Sequence, residues 1–412
     1  MTDPPTYNFV PGARAAGGKL QKATISEVIN ELVTHSDWVD RLSYDLFKDQ
    51  PVVVNPPFEM VAETTGLLNT DITNMRAWFE VTLGLQVGRD MMHEAFEAAC
   101  RTRAFHPVLD YLEALDPVPY PETVLDEVAE KAFNATTDIE KMFVRKWLVA
   151  AVRRVVVPGT KVDNCLVLVG PQNKGKSSAV RVLFGEWMKE DLSAIDNKDA
   201  LVGMQGTWCV EIAELQAVLR ADPAAVKSFI SRLIDKYRGP YERRATEHPR
   251  TCVFFGTTNE DDWMRDVTGE RRWWPLRCPY VNLAWLADNR DRIWSAALQV
   301  AMTDERHWLN DAEEELAEAH RDQFRFTDSA EQVVEGYLRG KAGKEVSVHD
   351  VWASVHPGAV GFAPPAESQR IGRLLKKLKC KAVPAPGGFR RWLVPEHYGV
   401  AKERGPGLRA VT

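Results

Sequence analysis

One octapeptide constrains this chain more than any other feature. Gly170-Pro-Gln-Asn-Lys-Gly-Lys-Ser177 fits G-x-x-x-x-G-K-[ST] and stands between an apolar β-branched run, Cys165 to Val169, and a helix-forming stretch, Ser178 to Leu183. Glycines let backbone N–H groups turn inward around phosphate oxygens, Lys176 offers a compact cation to β and γ phosphates, and Ser177 supplies a hydroxyl to Mg²⁺. The expected nucleotide-binding set is therefore Gly170, Pro171, Gln172, Asn173, Lys174, Gly175, Lys176, Ser177 and Ser178, with ATP and Mg²⁺ as the expected cofactors.

Two more short apolar runs, Trp208 to Ile212 and Cys252 to Phe255, alternate with helical patterns, the sign of a sheet covered by helices. The metal and the attacking water both need a carboxylate beside the glycine turn. Glu214 lies at the C-terminal end of its run, where open α/β sheets bind ligands, and is the favoured metal and catalytic group together with Ser177. Glu211 projects opposite Val210 and Ile212 and is either a second catalytic carboxylate or a charge paired inside the fold. Asn259, at the tip of the third run, is placed to orient water near the γ phosphate. Beyond it come Arg265 and the pair Arg271-Arg272, either of which could neutralise transition-state charge on a nucleotide held by a neighbouring subunit.

The rest of the chain frames this core. Its 412 residues predict two or three domains, and 45 % hydrophobic with 27 % charged residues rules out wholesale disorder or a disulfide scaffold. Six cysteines without a CxxC pair, and an N-terminus without the pattern of a secretory signal, predict free thiols and a cytoplasmic setting. No apolar run approaches the roughly 20 residues that span a bilayer, so no membrane partner is expected. The nine histidines show no HExxH or other zinc spacing.

Boundaries are expected at 1–65, an N-terminal extension with helical spacing near Ile25 to Leu46; 66–157, a helical domain read from Asp71 to Val157; 158–326, the nucleotide core; 327–396, a small C-terminal domain; and 397–412, a basic tail. From Gly361 to Thr412 there are eleven Lys or Arg against three Asp or Glu, a net +8 that leaves −14 on the remainder of a chain whose total is −6. A basic end on an acidic body points to local contact with a polyanion. Helices over Ala330 to Leu338, Val346 to Val355 and Gln369 to Lys379, then a strand-turn-strand to Val394, follow the order of a winged helix. Its outward Arg370, Arg373, Lys376 and Lys377, with Arg390 and Arg391 of the hairpin, are the expected duplex-DNA contacts.

The order of motifs resembles superfamily 3 helicases, and more closely the virulence-associated E (VapE-like) family of phage and prophage ATPases. The residues carrying it are His106-Pro-Val-Leu-Asp-Tyr-Leu112, Gly170 to Ser177, Trp208 to Leu215, Asp235 to Arg244, Pro249-Arg250, Phe254 to Asn259 and Thr268 to Pro275. The resemblance implies an α/β fold: an AAA-like P-loop ATPase core in a homo-oligomeric ring, expected to be a hexamer, with ATP between subunits. By position it gives Lys176 and Ser177 to the first motif, Glu214 with Glu211 to the acidic motif, Asn259 to the sensor and Arg271 or Arg272 to the finger. It also places a channel hairpin over Arg238 to Arg250, making Arg243 and Arg244 the candidates for single-stranded DNA. The implied function is an ATP-dependent helicase or DNA-stimulated ring ATPase in phage or mobile-element replication, working with other replication proteins. The alternative is a non-unwinding ATP-dependent regulator or loader.

Overall fold

The computed structural model describes residues 20–58, 60, 69–190, 198–213, 215, 223–237, 245–264, 270–325, 330–358, 361–384 and 390–399. The chain divides into two units, Met1–Phe324 and Arg325–Thr412.

Short strands interrupt the helices of the N-terminal region: β1 (Gln21–Lys22), β2 (Leu42–Asp45), β3 (Gln50–Val53), β4 (Leu85–Gln86) and β5 (Ala104–Phe105). The helical spacing expected from Ile25 to Leu46 holds only over Ile25–Thr34. Thr24 and Glu27 cap the start of that helix reciprocally, and the chain is extended at His35. Leu42 to Asp45 instead pair antiparallel with β3 and parallel with β5. Strands of two to four residues are too short to display a period, so the helical reading of Asp71 to Val157 also passed over β4 and β5. Val28, Leu32 and Trp38 share one core with Met75, Phe79, Ala95 and Cys100, so residues on both sides of position 65 pack together.

The His106 motif is structural. His106 Nδ1 accepts the Leu109 N–H at 3.2 Å, capping the helix Pro107–Glu113, and Tyr111 donates its hydroxyl to Asp291 at 2.6 Å.

The remainder of the first unit is built on β6 (Cys165–Val169), β7 (Met188–Lys189), β8 (Cys209–Ile212), β9 (Ile234–Tyr237), β10 (Thr246–Pro249), β11 (Val253–Thr258) and β12 (Trp273–Arg277). Five of these form one parallel sheet in the order β12-β6-β11-β8-β7, while β9 and β10 pair as a separate antiparallel hairpin. Every residue of β6, β8 and β11 is buried, as parallel strands covered on both faces require. On one face, Leu166, Leu168, Phe255, Trp274 and Leu276 share a core with the helices Pro121–Phe133, Asp138–Val156, Lys176–Phe184 and Leu283–Ala301. On the other, Val167, Val210, Phe254 and Trp273 pack with Val226, Phe229 and Ile230 of Pro223–Ile230.

Two histidines are locked into this core in the neutral form. His307 Nε2 stands 2.9 Å from the Lys161 carbonyl and Nδ1 stands 2.9 Å from the Arg153 guanidinium, so only the tautomer with its proton on Nε2 satisfies both. His320 Nε2 bonds the Pro275 carbonyl at 3.0 Å. Burial holds the pKa of each below the ordinary histidine value. As pH falls through about 6.5, the unfolded chain takes up protons that the folded chain refuses, so stability falls with pH. Melting temperature is expected to stay level near neutrality and drop steadily below that point, with a shallower drop in His307→Leu. An acid-independent melt would contradict the neutral assignment.

The second unit runs helix Glu331–Leu338, β13 (Glu345–Ser347), helix Val348–Val355, helix Pro365–Lys377, β14 (Lys381–Pro384) and β15 (Arg390–Leu393). Its antiparallel sheet has the order β13-β15-β14, and Val334, Leu338, Val351, Ile371, Leu375 and Trp392 fill its core. Two expected boundaries shift. Val346 and Ser347 are strand because Ser347 caps the following helix reciprocally with Asp350. The third helix starts at Pro365 rather than Gln369, since proline in a first turn gives up no intrahelical bond.

Candidate functional site

The glycine turn joins β6 to the helix Lys176–Phe184, so Lys176 and Ser177 belong to that helix's first turn. Asn173 and Gly175 take positive φ, 59° and 86°, which lets the chain reverse within a few residues. Gly170 tolerates no side chain: a Cβ there would stand 2.0 Å from the Cys278 carbonyl oxygen, and Cys278 is itself tied to Val169 by an N–H···O bond of 2.8 Å. Pro171, Gln172, Asn173, Lys174 and Ser178 are exposed, leaving the rim of the turn open to solvent.

Lys176 is 7 % exposed, and its ammonium donates to Gly170 O at 2.7 Å, Pro171 O at 2.7 Å and Asn259 Oδ1 at 2.9 Å. That uses all three of its donors on neutral oxygens. Burial lowers its pKa, because a cation taken partly out of water without a bonded counter-ion favours the neutral form. An arriving anion reverses that penalty. Burial pushes the neighbouring Cys278 thiol up to about 12, so it stays neutral beside the lysine.

Glu211 lies on the face of β8 that looks toward this helix. The Ser177 hydroxyl donates to Glu211 Oε1 at 2.6 Å, and the Thr257 hydroxyl donates to the same oxygen at 3.1 Å. The carboxylate is 3 % exposed and reaches Ser177 because β11 sits between β6 and β8 with Phe255 in register with Glu211. Thr257, which sequence reasoning passed over, completes this group; its signal was the period of two that puts it on the same face as Phe255 and Asn259. Glu214 lies outside the described residues, as do Arg238, Arg243, Arg244 and Arg265. What is described of the hairpin is its root: Asp235 and Arg250 form a buried bidentate ion pair with bonds of 2.6 and 2.8 Å.

Arg271 and Arg272 form a turn immediately before β12. Arg272 is half-buried and its Nε donates to Ser231 Oγ at 2.9 Å. Arg271 is exposed and makes no hydrogen bond or ion pair among the described residues. Trp273 pairs with Cys165, the first residue of β6, so both arginines lie at the end of the sheet away from the glycine turn.

In the second unit, Arg373 and Lys376 are exposed without an ion pair among the described residues. Arg370 pairs with Glu367 at 3.3 Å, Lys377 with Glu331 at 2.7 Å and Arg391 with Glu345 at 3.8 Å; Arg390 is exposed.

These features define a mixed α/β protein with many helices and a parallel sheet whose C-terminal edge gathers a glycine turn, a lysine, a serine, a buried carboxylate and an asparagine. The profile of the virulence-associated protein E-like domain matches residues 120–326, half of the chain, and the chain belongs to that family. Among solved structures it is similar to the apo C-terminal region of NrS-1: one form at 11 % identity and TM-score 0.47, covering 89 % of this chain and 98 % of that one. A second form gives 10 % identity and TM-score 0.47 over 86 % and 95 %. A third gives 13 % and 0.41 over 69 % and 78 %. No curated protein matches the chain. Among the described residues, no helix is long and apolar enough to cross a membrane.

Proposed function

We propose that this chain is a superfamily 3-type ATP hydrolase, a DNA helicase or DNA-stimulated ring ATPase acting in phage or mobile-element DNA replication. The observation that carries the reading is the paired constellation Lys176–Asn259 and Ser177–Glu211 at the edge of one parallel sheet. A small-molecule kinase would leave Arg271 and the basic second unit without a role.

The donors suit ATP with Mg²⁺. A serine hydroxyl and a carboxylate are the hard oxygens magnesium takes, and it usually keeps several waters. When bound, Mg²⁺ neutralises charge on the β and γ phosphates. Ser177 and Glu211 are the residues that would hold it. Lys176, whose three donors go to neutral oxygens, supplies the fixed positive charge, and a phosphate oxygen would take over one of those bonds. Asn259, bonded to Lys176, is the polar group poised to orient a water. With Thr257 bonded to its Oε1, Glu211 is a stronger candidate for the metal-holding acid than the position of Glu214 alone suggested.

An AAA-like core in a homo-oligomeric ring, most simply a hexamer, fits Arg271, exposed and unpaired among the described residues at the end of the sheet away from the glycine turn. The hairpin β9-β10 fits a channel loop gripping single-stranded DNA through Arg243 and Arg244. Helix, strand, helix, helix, strand, strand is the order of a winged helix, and the cations Arg370, Arg373, Lys376, Lys377, Arg390 and Arg391 fit a duplex backbone read through charge.

The test is ATP hydrolysis by the purified chain, with and without single-stranded DNA. Hydrolysis stimulated by DNA and abolished in Lys176→Ala is expected. Strand displacement then separates a helicase from a loader that binds duplex without opening it. Absence of any nucleotide hydrolysis under both conditions defeats the proposal.

A further inference from the structure

We propose that Tyr280 is the platform on which the nucleobase of the bound nucleotide stacks. The inference rests on the nucleotide reading above and adds the place of the base. Lys176 and Ser177 both turn toward one side of the glycine loop, since their partners Asn259 and Glu211 belong to the tip of β11 and to β8. In the sheet, β11 and β8 lie on one side of β6 and β12 lies on the other. The cation and hydroxyl that meet the terminal phosphates therefore face β11 and β8. A triphosphate with its terminal end there directs its nucleoside end toward the β12 side.

On that side the chain leaving β12, from Cys278 to Leu283, is strapped against the turn. Cys278 N–H donates to Val169 O at 2.8 Å, and Val281 N–H donates to Lys174 O at 3.0 Å. Val281 Cβ and Leu283 Cδ1 both lie 3.4 Å from where a Cβ on Gly175 would stand, so the strap packs on the loop closely enough to leave only van der Waals room. Farther along, Asn282 N–H bonds Ala132 O at 2.9 Å. Cys278 Sγ also meets the Tyr280 carbonyl at 3.2 Å, fixing the backbone of the residue between the two anchors.

On this pinned backbone the Tyr280 side chain is 53 % exposed, and its ring makes no ring or cation contact among the described residues. Trp273 and Trp274 of β12 are buried and Trp285 packs partly into the core, whereas Tyr280 offers its ring to solvent. A tyrosine held by its backbone loses little conformational freedom on binding and presents a π face that any base accepts.

The test uses the full chain and calorimetric titration with two probes in the presence of Mg²⁺: a non-hydrolysable ATP analogue, which has a base, and inorganic tripolyphosphate, which has none. Tyr280→Ala is expected to weaken the ATP analogue about tenfold and to leave tripolyphosphate unchanged, while Tyr280→Phe and Tyr280→Trp retain wild-type affinity for both. Equal affinity of Tyr280→Ala and wild type for the ATP analogue overturns the proposal. So does a parallel loss of both probes, which would make the ring a prop for the loop. Wild-type chain binding neither probe removes the nucleotide reading itself, and the base platform with it.

Discussion

Asp235→Ala is expected to destabilise the unit carrying the parallel sheet by about 3–5 kcal/mol, the cost of leaving a buried charge without its partner. The Arg250 guanidinium is 1 % exposed and the Asp235 side chain 6 %. Two bonds, Nε to Oδ2 at 2.8 Å and Nη2 to Oδ1 at 2.6 Å, join them as parallel forks, and Nη1 donates to Phe229 O at 2.5 Å. The guanidinium also sits over the Phe229 and Phe254 rings at 4.8 and 5.3 Å. Removing the carboxylate strands a cation between two aromatic faces and a single carbonyl, where water cannot enter without opening the core. The exposed pair Lys236–Glu247, 3.6 Å apart on the same hairpin, is the control, and Lys236→Ala is expected to cost at most about 1 kcal/mol. Urea unfolding of both variants decides. A loss below about 1 kcal/mol for Asp235→Ala would mean that the pair is hydrated in solution.

The same pair shows where sequence reading stops. Pro249-Arg250 and Asp235 stood out only through the family resemblance; that the two charges meet depends on the register Asp235↔His248 and Ile234↔Pro249 across the hairpin, which no local pattern states. The glycine turn was legible because its chemistry is local: eight consecutive residues, a strand before and a helix after. Glu211 was half legible. A period of two correctly put it opposite Val210 and Ile212, but whether that face held a charge pair or the turn depended on β11 lying between β6 and β8, a pairing of segments more than forty residues apart in the chain. Trp273 to Arg277 was hidden by Pro275. Proline is tolerated there because β12 is an edge strand, bonded to β6 on one side only, so its missing N–H leaves no neighbour unsatisfied. The short strand β13 escaped for the opposite reason: three residues carry no period, and their partners, Arg391 to Leu393, come more than forty positions later.

Arg271→Ala is expected to lower steady-state ATP hydrolysis about 10³-fold while nucleotide affinity stays within a few fold, the signature of a charge supplied to the transition state. Its position sets it apart from the glycine turn of its own chain. Trp273, which follows the Arg271-Arg272 turn, is in register with Cys165, whereas the glycine turn begins after Val169. Four residue steps at about 3.3 Å put the two ends of β6 about 13 Å apart, and the arginine stands beyond the wrong one. In the proposed ring, an exposed guanidinium there, unpaired among the described residues, would serve a nucleotide held by another copy. Arg272, committed to Ser231 at 2.9 Å, is the brace, and Arg272→Ala is expected to cost less activity and more stability. Mixing discriminates between this and a structural role. Arg271→Ala subunits keep Lys176, and Lys176→Ala subunits keep Arg271, so each preparation alone is inactive. In an equimolar mixed ring, about a quarter of the head-to-tail seams join an intact lysine to an intact arginine, and hydrolysis recovers to that extent. Mixed rings that assemble, by mass in solution, yet recover nothing would remove Arg271 from the neighbour's site.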